Sequence, residues 1–132
     1  MICPACKNHM IVVEYKRIEL DYCPNCKGVW FDSGELELMF RTTGLDAKLI
    51  GDVRRLPAAK TTETIRKCPI CRQGMSKNDI GQKLPVLIDV CPRGDGVFFD
   101  GGEVTALIKQ FPQKEPGKAH PAVDFLGEVF KT

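Results

Sequence analysis

The sequence predicts a small α+β protein that consists of two copies of one unit. A Cys-Pro-x-Cys motif begins at Cys3 and another at Cys23, and a glycine- and aromatic-containing segment follows. The same order of motifs returns from Cys68 onward, except that Gly94 stands where Cys26 stands in the first copy. Paired Cys-x-x-Cys motifs at this separation are a strong signature of a tetrahedral metal site, because two short turns can direct four thiolates to one ion. The predicted fold is therefore metal-stabilised.

Each unit is predicted to hold a β-hairpin between its cysteine pairs. Residues 10–15 form an apolar run, residues 16–17 mark a turn, and apolar and acidic residues alternate over 18–22. This alternation has the period of a half-buried strand. In the second unit, polar residues and a glycine between 76 and 81 predict turns, and the apolar alternation over 86–90 predicts a strand that leads into the third cysteine.

A short strand and a helix are predicted after each second cysteine motif. The strands are expected at 29–31 and 97–99, and Asp32 and Asp100 then mark the helix starts. Each of these aspartates precedes a glutamate by three residues, an arrangement typical of a capping box at a helix N-terminus. Capping accounts for all four carboxylates, and nothing else of an acid–base site accompanies them. We therefore predict that the protein is not an enzyme.

Helix lengths follow from apolar spacing and from the residues that stop a helix. The first helix is expected to end near residues 43–44, a second helical stretch covers 45–56, and the last helix stops at Pro112. The predicted organisation is a first unit with its helices at 1–56, a basic connector at 57–67, a second, degenerate unit with its helix at 68–111, and a Pro-rich linker with an apolar C-terminal segment at 112–132.

Size and composition point to a metal in a reducing compartment. Each unit spans roughly 40 residues, too few for burial alone to stabilise a fold. Seven cysteines are an odd number and fit a closed disulfide framework poorly. The chain opens without a recognisable signal peptide, and no apolar stretch reaches the ~20 residues that span a bilayer. The expected location is the cytoplasm, with no membrane association.

The first cysteine set predicts a closed, structural zinc site. Four thiolates in a tetrahedron leave no open coordination position, which is typical of structural zinc. Iron is the rival metal, because a rubredoxin-like site uses the same four thiolates. A thiol–disulfide role is the other alternative, although the chain lacks the βαβ setting of thioredoxin-like motifs. The predicted ligands are Cys3, Cys6, Cys23 and Cys26.

The second site has three cysteines, Cys68, Cys71 and Cys91, and needs a fourth ligand. The candidates are Asp95, a water molecule, or a residue delivered from elsewhere in the chain. His120 is such a residue, because the Pro-rich linker before it could return the C-terminal segment to this site. Loss of the second metal is the remaining alternative, so the sequence predicts one or two zinc ions.

The run from Cys3 to Leu36 resembles the bacterial zinc-ribbon family described as transcription factor IIB-type zinc fingers. The cysteine turns and the Gly-x-Trp-x-Asp-x-Gly-Glu segment carry this resemblance, and residues 68–104 form a degenerate copy. The copy departs at Gly94 and at Phe98, which stands where the first copy has Trp30. The resemblance implies two tandem zinc ribbons, each a β-hairpin plus a short strand, with zinc at the first four cysteines and by extension at the other three.

The predicted function is a non-enzymatic interaction module whose partner is a protein. The apolar C-terminal segment and the exposed hairpin edges favour a protein partner; that segment is expected either to dock on the chain's own core or to bind the partner. Nucleic acid or the transcription machinery is the alternative partner, because residues 41–67 carry a net charge of +4 and Tyr15, Tyr22 and Trp30 are candidates for base stacking. The overall charge of +2 is too small to indicate nucleic-acid binding by itself. The third class is a thiol redox or rubredoxin-like iron protein, and no small-molecule substrate is indicated.

Overall fold

In the computed structural model, each predicted unit forms a β-hairpin, a third strand and a helix. The structure describes residues 1–15, 17–42, 53–81 and 84–110. All six strands join in one antiparallel sheet, in the spatial order β1-β2-β3-β6-β5-β4. The elements in chain order are β1 (Ile11–Tyr15), β2 (Ile18–Tyr22), β3 (Val29–Asp32), α1 (Glu35–Thr42), a 3₁₀ turn (Val53–Arg55), β4 (Ser76–Ile80), β5 (Val86–Val90), β6 (Gly96–Phe99) and α2 (Glu103–Ile108).

The two hairpins pair their strands in equivalent registers. In the first hairpin Ile11 pairs with Tyr22, and in the second Ser76 pairs with Val90, each pair directly preceding a metal-site cysteine on the second strand. The second copy has three more residues between its cysteine motifs than the first. Two residues separate the paired strands of the first hairpin and five separate those of the second, so this difference accounts for all three. The longer spacing of the second cysteine motifs therefore leaves the strands unchanged.

Strand β4 corrects the sequence prediction, which placed turns at its polar residues. Ser76, Lys77 and Asn78 find partners within the strand or on neighbouring segments, so these side chains do not need a turn. Ser76 Oγ donates to Asn78 Oδ1 at 2.7 Å, and Asn78 Nδ2 donates to the carbonyl oxygen of Leu56 at 2.9 Å. The ammonium group of Lys77 pairs with the buried carboxylate of Asp89. Tertiary pairing here overrides the local turn preference of Ser, Asn and Asp.

The two units join through β3 and β6, which pair symmetrically at the centre of the sheet. Trp30 pairs with Phe98, its equivalent in the other unit. On either side, Val29 pairs with Phe99 and Phe31 pairs with Val97, so the pairing is symmetric about Trp30 and Phe98. Gly28 directly precedes β3 and the equivalent Gly96 begins β6, and each leaves room for an aromatic side chain of the other unit. A Cβ at Gly28 would lie 2.4 Å from Phe98 Cζ, and a Cβ at Gly96 would lie 2.3 Å from the carbonyl oxygen of Phe31 and 2.6 Å from Trp30 Cζ2.

The main core lies between one face of the sheet and the two helices. Helix α1 buries Leu36, Met39 and Phe40, and α2 buries Val104 and Leu107. A second buried cluster surrounds the metal-site cysteines; it contains Cys3, Met10, Cys23, Trp30, Cys68, Met75, Cys91 and Phe98. The sheet thus carries the helix-packed core on one face and joins the two metal sites through the other.

The helix boundaries agree with the sequence only in part. Helix α1 ends at Thr42, next to the predicted stop. The predicted helical stretch at 45–56 lies partly outside the described residues, and the part described contains the 3₁₀ turn Val53–Arg55. The prediction of a capping box at α2 is wrong, because no side chain caps this helix and its N-cap residue is Gly102. Within the described ranges, no helix has the length and apolar character needed to cross a bilayer.

Candidate metal centre

Four short turns, which we call knuckles, present the metal-site cysteines. In the first knuckle the amide of Cys3 donates to the carbonyl oxygen of Asn8 at 2.8 Å, and the amide of Lys7 donates back to Cys3 at 3.0 Å. Lys7 closes the turn in the left-handed region, with φ 68°, and Lys27 does the same in the second knuckle. These bonds fix the backbone so that both thiols of a knuckle point to the same side.

The first site has the dimensions of a four-thiolate zinc site. Sulfur atoms of Cys3 and Cys26 lie 3.6 Å apart, those of Cys6 and Cys23 lie 3.4 Å apart, and all four lie within 4.8 Å of one another. A Zn–S bond of about 2.3 Å in a tetrahedron requires S···S separations of about 3.8 Å. The four residues would therefore hold a zinc ion with no open position.

The first site needs a cation to hold its thiolates. Burial raises the pKa of Cys3 and raises the pKa of Cys26 to about 12. Hydrogen bonds from the side chain and backbone of Asn8 instead lower the pKa of Cys6 to about 5. Four adjacent thiols cannot all ionise by themselves, whereas a divalent metal deprotonates them. Zinc binding and the stability of the first ribbon are therefore coupled.

The second site gathers its three cysteines and one carboxylate. Cys71 and Cys91 place their sulfur atoms 3.6 Å apart, and Asp95 Oδ2 lies 3.7 Å from the sulfur of Cys68 and 3.5 Å from that of Cys91. All four ligand atoms lie within 4.8 Å of one another. Tetrahedral zinc with one oxygen and three sulfur ligands requires S···O separations of about 3.5 Å. The geometry therefore fits zinc with Asp95 as the fourth ligand.

A shift of the left-handed residue brings Asp95 into the site. In the second knuckle of the first ribbon, Lys27 is left-handed and its amide donates to the carbonyl oxygen of Cys23 at 2.8 Å. In the equivalent knuckle of the second ribbon, Gly94 is left-handed, with φ 82°, and its amide donates to Cys91 at 3.1 Å. The turn closes one residue earlier, so the side chain of the next residue takes the place of the missing thiolate.

All seven predicted cysteines thus fall into the two predicted sets. His120 lies outside the described residues, and the prediction that it ligates zinc stays a prediction. Asp95 was one of the alternatives that the sequence left open, and the signal for it was the pair Gly94-Asp95, a residue that adopts a left-handed turn easily followed by a metal ligand. His9 is exposed and belongs to neither set.

An ion-pair network covers the second ribbon beside its metal site. Arg66 Nη1 lies 3.2 Å from Asp89 Oδ2 and 2.8 Å from Asp100 Oδ1. The guanidinium group lies 5.7 Å from the centre of the Phe98 ring. Because Asp89 is only 2% exposed, this network compensates a buried charge. The connector residue Arg66 is therefore part of the fold.

The equivalent carboxylates of the first ribbon lack such a network. Asp32 Oδ1 accepts a hydrogen bond from Trp30 Nε1 at 2.9 Å. Within the described part of the chain, no Lys or Arg side chain lies in ion-pair range of Asp21 or Asp32. Burial, followed by repulsion from Asp32, raises the pKa of Asp21. The charge of Asp21 therefore costs the first ribbon stability.

Two of the three aromatic residues expected on the surface are buried. Trp30 is 0% exposed and Tyr22 is 1% exposed, so the prediction that they could stack on bases is wrong. Tyr22 belongs to the core between the sheet and the helices, and Trp30 belongs to the buried cluster around the metal-site cysteines, where it pairs with Phe98 of the second ribbon. The side chain of Tyr15 lies outside the described part of the structure.

The fold and the cysteine clusters define a protein with two zinc ribbons, each followed by a short helix. The model of the TFIIB-type zinc-ribbon family, described as a transcription factor zinc-finger, matches residues 2–41. This match confirms the resemblance predicted for the first ribbon, and the cluster at residues 68–95 is consistent with a tandem arrangement. No curated protein and no solved structure matches the chain.

Proposed function

We propose that the protein is a non-enzymatic, zinc-dependent module that binds a protein partner in the cytoplasm. Both clusters offer four ligand atoms, so a zinc ion bound by all four would have no position left for a substrate or an activated water. Zinc then supplies rigidity, and function depends on the surfaces that the two ribbons hold in place.

A groove between the first knuckle and the connector carries this proposal. It has a volume of about 520 Å³, and its apolar lining residues are Pro4, Ala5 and Ile65. Ile65 is 66% exposed, and the charged lining is mainly basic, with Lys7, Arg66 and Lys67 beside Glu63. One wall belongs to the first zinc site and the other leads directly into the second, so both ions support its shape. A partner segment with an apolar side chain beside an acidic one complements this groove.

Nucleic acid is the second candidate partner. The family that the first ribbon matches is described as a transcription factor zinc-finger, and this description favours nucleic acid. The buried positions of Trp30 and Tyr22 count against base stacking. Arg66 is engaged with two carboxylates, which reduces the basic character of the connector. These two facts make a protein partner the better-supported proposal.

Photo-crosslinking at the groove tests this function in cells. A photoreactive residue at position 65 should form adducts with a defined protein, and one at Leu84, which is 70% exposed but lies in the second hairpin turn, should not. The substitution Ile65→Asp should reduce copurification of the adduct partner at least tenfold, since central apolar contacts dominate interface energies. Equal adducts at both positions, or none at position 65, would contradict the proposal.

A nucleic-acid measurement separates the two candidates. Fluorescence anisotropy with mixed single-stranded RNA and double-stranded DNA should show no binding at 50 mM salt. Binding that weakens steeply between 50 and 200 mM salt would replace the protein-partner proposal with the nucleic-acid one, because phosphate contacts release counterions.

A further inference from the structure

In the second ribbon, two carboxylates on the face of the sheet opposite the helices hold cations. Asp89 pairs with Phe98, and Asp100 follows Phe98 by two residues, so the two carboxylates are diagonal neighbours. Arg66 Nη1 lies 3.2 Å from Asp89 and 2.8 Å from Asp100, and the ammonium group of Lys77 pairs with Asp89 from the neighbouring strand. The chain itself therefore supplies the cations that compensate this buried charge.

The first ribbon repeats the two carboxylates. Asp21 pairs with Trp30, and Asp32 follows Trp30 by two residues, in the same diagonal arrangement. Leu20 and Tyr22 on either side of Asp21 belong to the helix-packed core, so the side chain of Asp21 points to the opposite face of the sheet, as that of its equivalent does. The first ribbon thus presents the same pair of acidic groups on the same face.

Uncharged side chains replace both cations in the first ribbon. Val12 pairs with Asp21 in the register in which Lys77 pairs with its aspartate. Met1 stands where Arg66 stands, because the carbonyl oxygens of the two residues accept equivalent backbone hydrogen bonds at 2.8 Å. Val12 and Met1 are 65% and 41% exposed, so the side chains at these positions border solvent.

Asp21 is buried without a cation in contact with it. Its side chain is 9% exposed and, among residues 1–15, 17–42, 53–81 and 84–110, it makes no ion pair. The α-amino group of Met1 attracts Asp21 only from beyond ion-pair range. Asp32 is exposed and accepts a hydrogen bond from Trp30 at one carboxylate oxygen, which leaves its second oxygen for another donor. A cation placed between the two carboxylates would complete the arrangement seen in the second ribbon.

We propose that the first ribbon binds an arginine side chain of a partner protein between Asp21 and Asp32. A guanidinium group is what the equivalent carboxylates of the second ribbon hold, and its planar donors can reach both acidic groups at once. The partner supplies in trans what Arg66 supplies within the chain. This binding site goes beyond the proposed function, because the groove at Ile65 is lined by other residues.

An NMR titration of the zinc-loaded full chain tests the site. The probes are the blocked tripeptide acetyl-Gly-Arg-Gly-amide and its citrulline counterpart, in which a neutral urea group replaces the guanidinium group. Trp30 is the only tryptophan of the chain, and its indole N–H donates to Asp32, so its signal reports on the site. The arginine peptide should shift this signal saturably and bind at least about tenfold more tightly than the citrulline peptide, since charge-assisted hydrogen bonds are the stronger ones.

Removal of the buried charge should weaken this binding selectively. Asp21→Asn keeps the shape of the side chain and should reduce the affinity for the arginine peptide at least about tenfold. Glu19→Gln is the matched control, because Glu19 is an exposed acidic residue of the same strand and should change the affinity less than about twofold.

A cation supplied by the chain should compete with the peptide. Val12→Lys places an ammonium group at the position equivalent to Lys77 and should abolish binding of the arginine peptide while the protein stays folded. Ile11→Lys makes the same change in net charge at the neighbouring residue, which is 47% exposed and points to the other face of the sheet. Its affinity for the peptide should equal that of the unsubstituted protein.

Three results would overturn the proposal. The first is the absence of a saturable Trp30 shift with the arginine peptide, and the second is equal affinity for the citrulline peptide. The third is an equal loss of affinity in Asp21→Asn and Glu19→Gln, or in Val12→Lys and Ile11→Lys, which would assign the binding to general attraction by acidic residues. Photo-crosslinking at position 65 is unaffected by any of these outcomes, so the groove and the arginine site are tested separately.

Discussion

The two metal sites have the same framework but not the same donor set. The first is built from four thiolates, and the second replaces one thiolate with the carboxylate of Asp95. In the second, the left-handed turn residue lies one position closer to the N-terminus, at Gly94, and the strands on both sides keep their register. A ribbon can therefore exchange a ligand without changing its sheet. A carboxylate is a harder ligand than a thiolate, so we expect the second site to hold zinc less tightly.

The two ribbons also differ in how they compensate equivalent acidic residues. The second ribbon pairs Asp89 and Asp100 with Arg66, whereas the first leaves Asp21 and Asp32 without a Lys or Arg partner among the described residues. The weaker metal site thus lies beside the stronger ion-pair network. We infer that both the metal and the ion pairs stabilise the second ribbon, whereas the first ribbon is stabilised mainly by its metal.

The largest expected effect comes from removing a thiolate of the first site. Cys23→Ser should release one zinc ion and lower the free energy of unfolding by at least about 4 kcal/mol, because structural zinc contributes about 10–16 kcal/mol to small zinc domains. Chemical denaturation followed by Trp30 fluorescence measures this loss, since Trp30 lies between the ribbons. The equivalent Cys91→Ser should cost less. A larger loss for Cys91→Ser would reverse the proposed ranking of the two sites.

The next largest effect concerns the junction of the ribbons. Gly96→Ala should destabilise the protein by about 3 kcal/mol and Gly28→Ala by about 1–2 kcal/mol, because the new methyl group meets a backbone oxygen in the first case and a ring in the second. Thermal denaturation would rank the two variants. Gly74→Ala is the control, since its methyl group would meet only exposed Ile65 at 3.2 Å and should change stability by no more than about 0.5 kcal/mol. Equal values for all three would exclude close packing at the junction.

A smaller loss is expected when the ion-pair network is broken. Arg66→Met should lower the free energy of unfolding by about 1–2 kcal/mol, because Asp89 stays buried with Lys77 as its remaining cation. Lys60→Met, at an exposed position of the same connector, is the matched control. Urea denaturation of both variants at fixed zinc measures the difference. An equal effect of the two substitutions would show that the network does not stabilise the second ribbon.

The smallest effect should have opposite signs in the two ribbons. Asp21→Asn should raise stability at neutral pH by less than about 1 kcal/mol, and the equivalent Asp89→Asn should lower it. Burial raises the pKa of Asp21 in the folded state, so its charge costs stability above that pKa, and the cost disappears below the unfolded value of about 3.9. Urea midpoints at neutral pH compare the two variants. Destabilisation by Asp21→Asn would mean that this carboxylate has a stabilising partner.

Local sequence signals were sufficient for the elements that depend on spacing. The cysteine intervals predicted which cysteines lie together in each cluster, and alternation predicted β2 and β5. Strand β4 escaped prediction because its polar side chains find partners on segments distant in the chain, such as Leu56 and Asp89. The central pairing of Trp30 with Phe98 escaped for the same reason, and Trp30 was expected on the surface although the second ribbon covers it.

The fourth ligand of the second site shows where sequence alignment alone fails. Aligning the two copies places Gly94 against Cys26 and suggests an empty position. The position of the fourth ligand depends on which residue of the turn is left-handed. An alignment does not show backbone dihedral angles, so it could not identify this ligand. Asp95 could be proposed from the sequence as one of several candidates, but choosing it required the 3.5 Å distance to the sulfur of Cys91.

Native mass spectrometry of the zinc content tests the two-site account most directly. The intact protein should carry two zinc ions, Asp95→Ala should carry one under conditions that strip weakly held metal, and His120→Ala should carry two. Cys26→Ala, at the aligned position of the first ribbon, is the matched ligand removal and should also leave one ion. If Asp95→Ala kept both ions while His120→Ala fell to one, the assignment of Asp95 as the fourth ligand would be wrong.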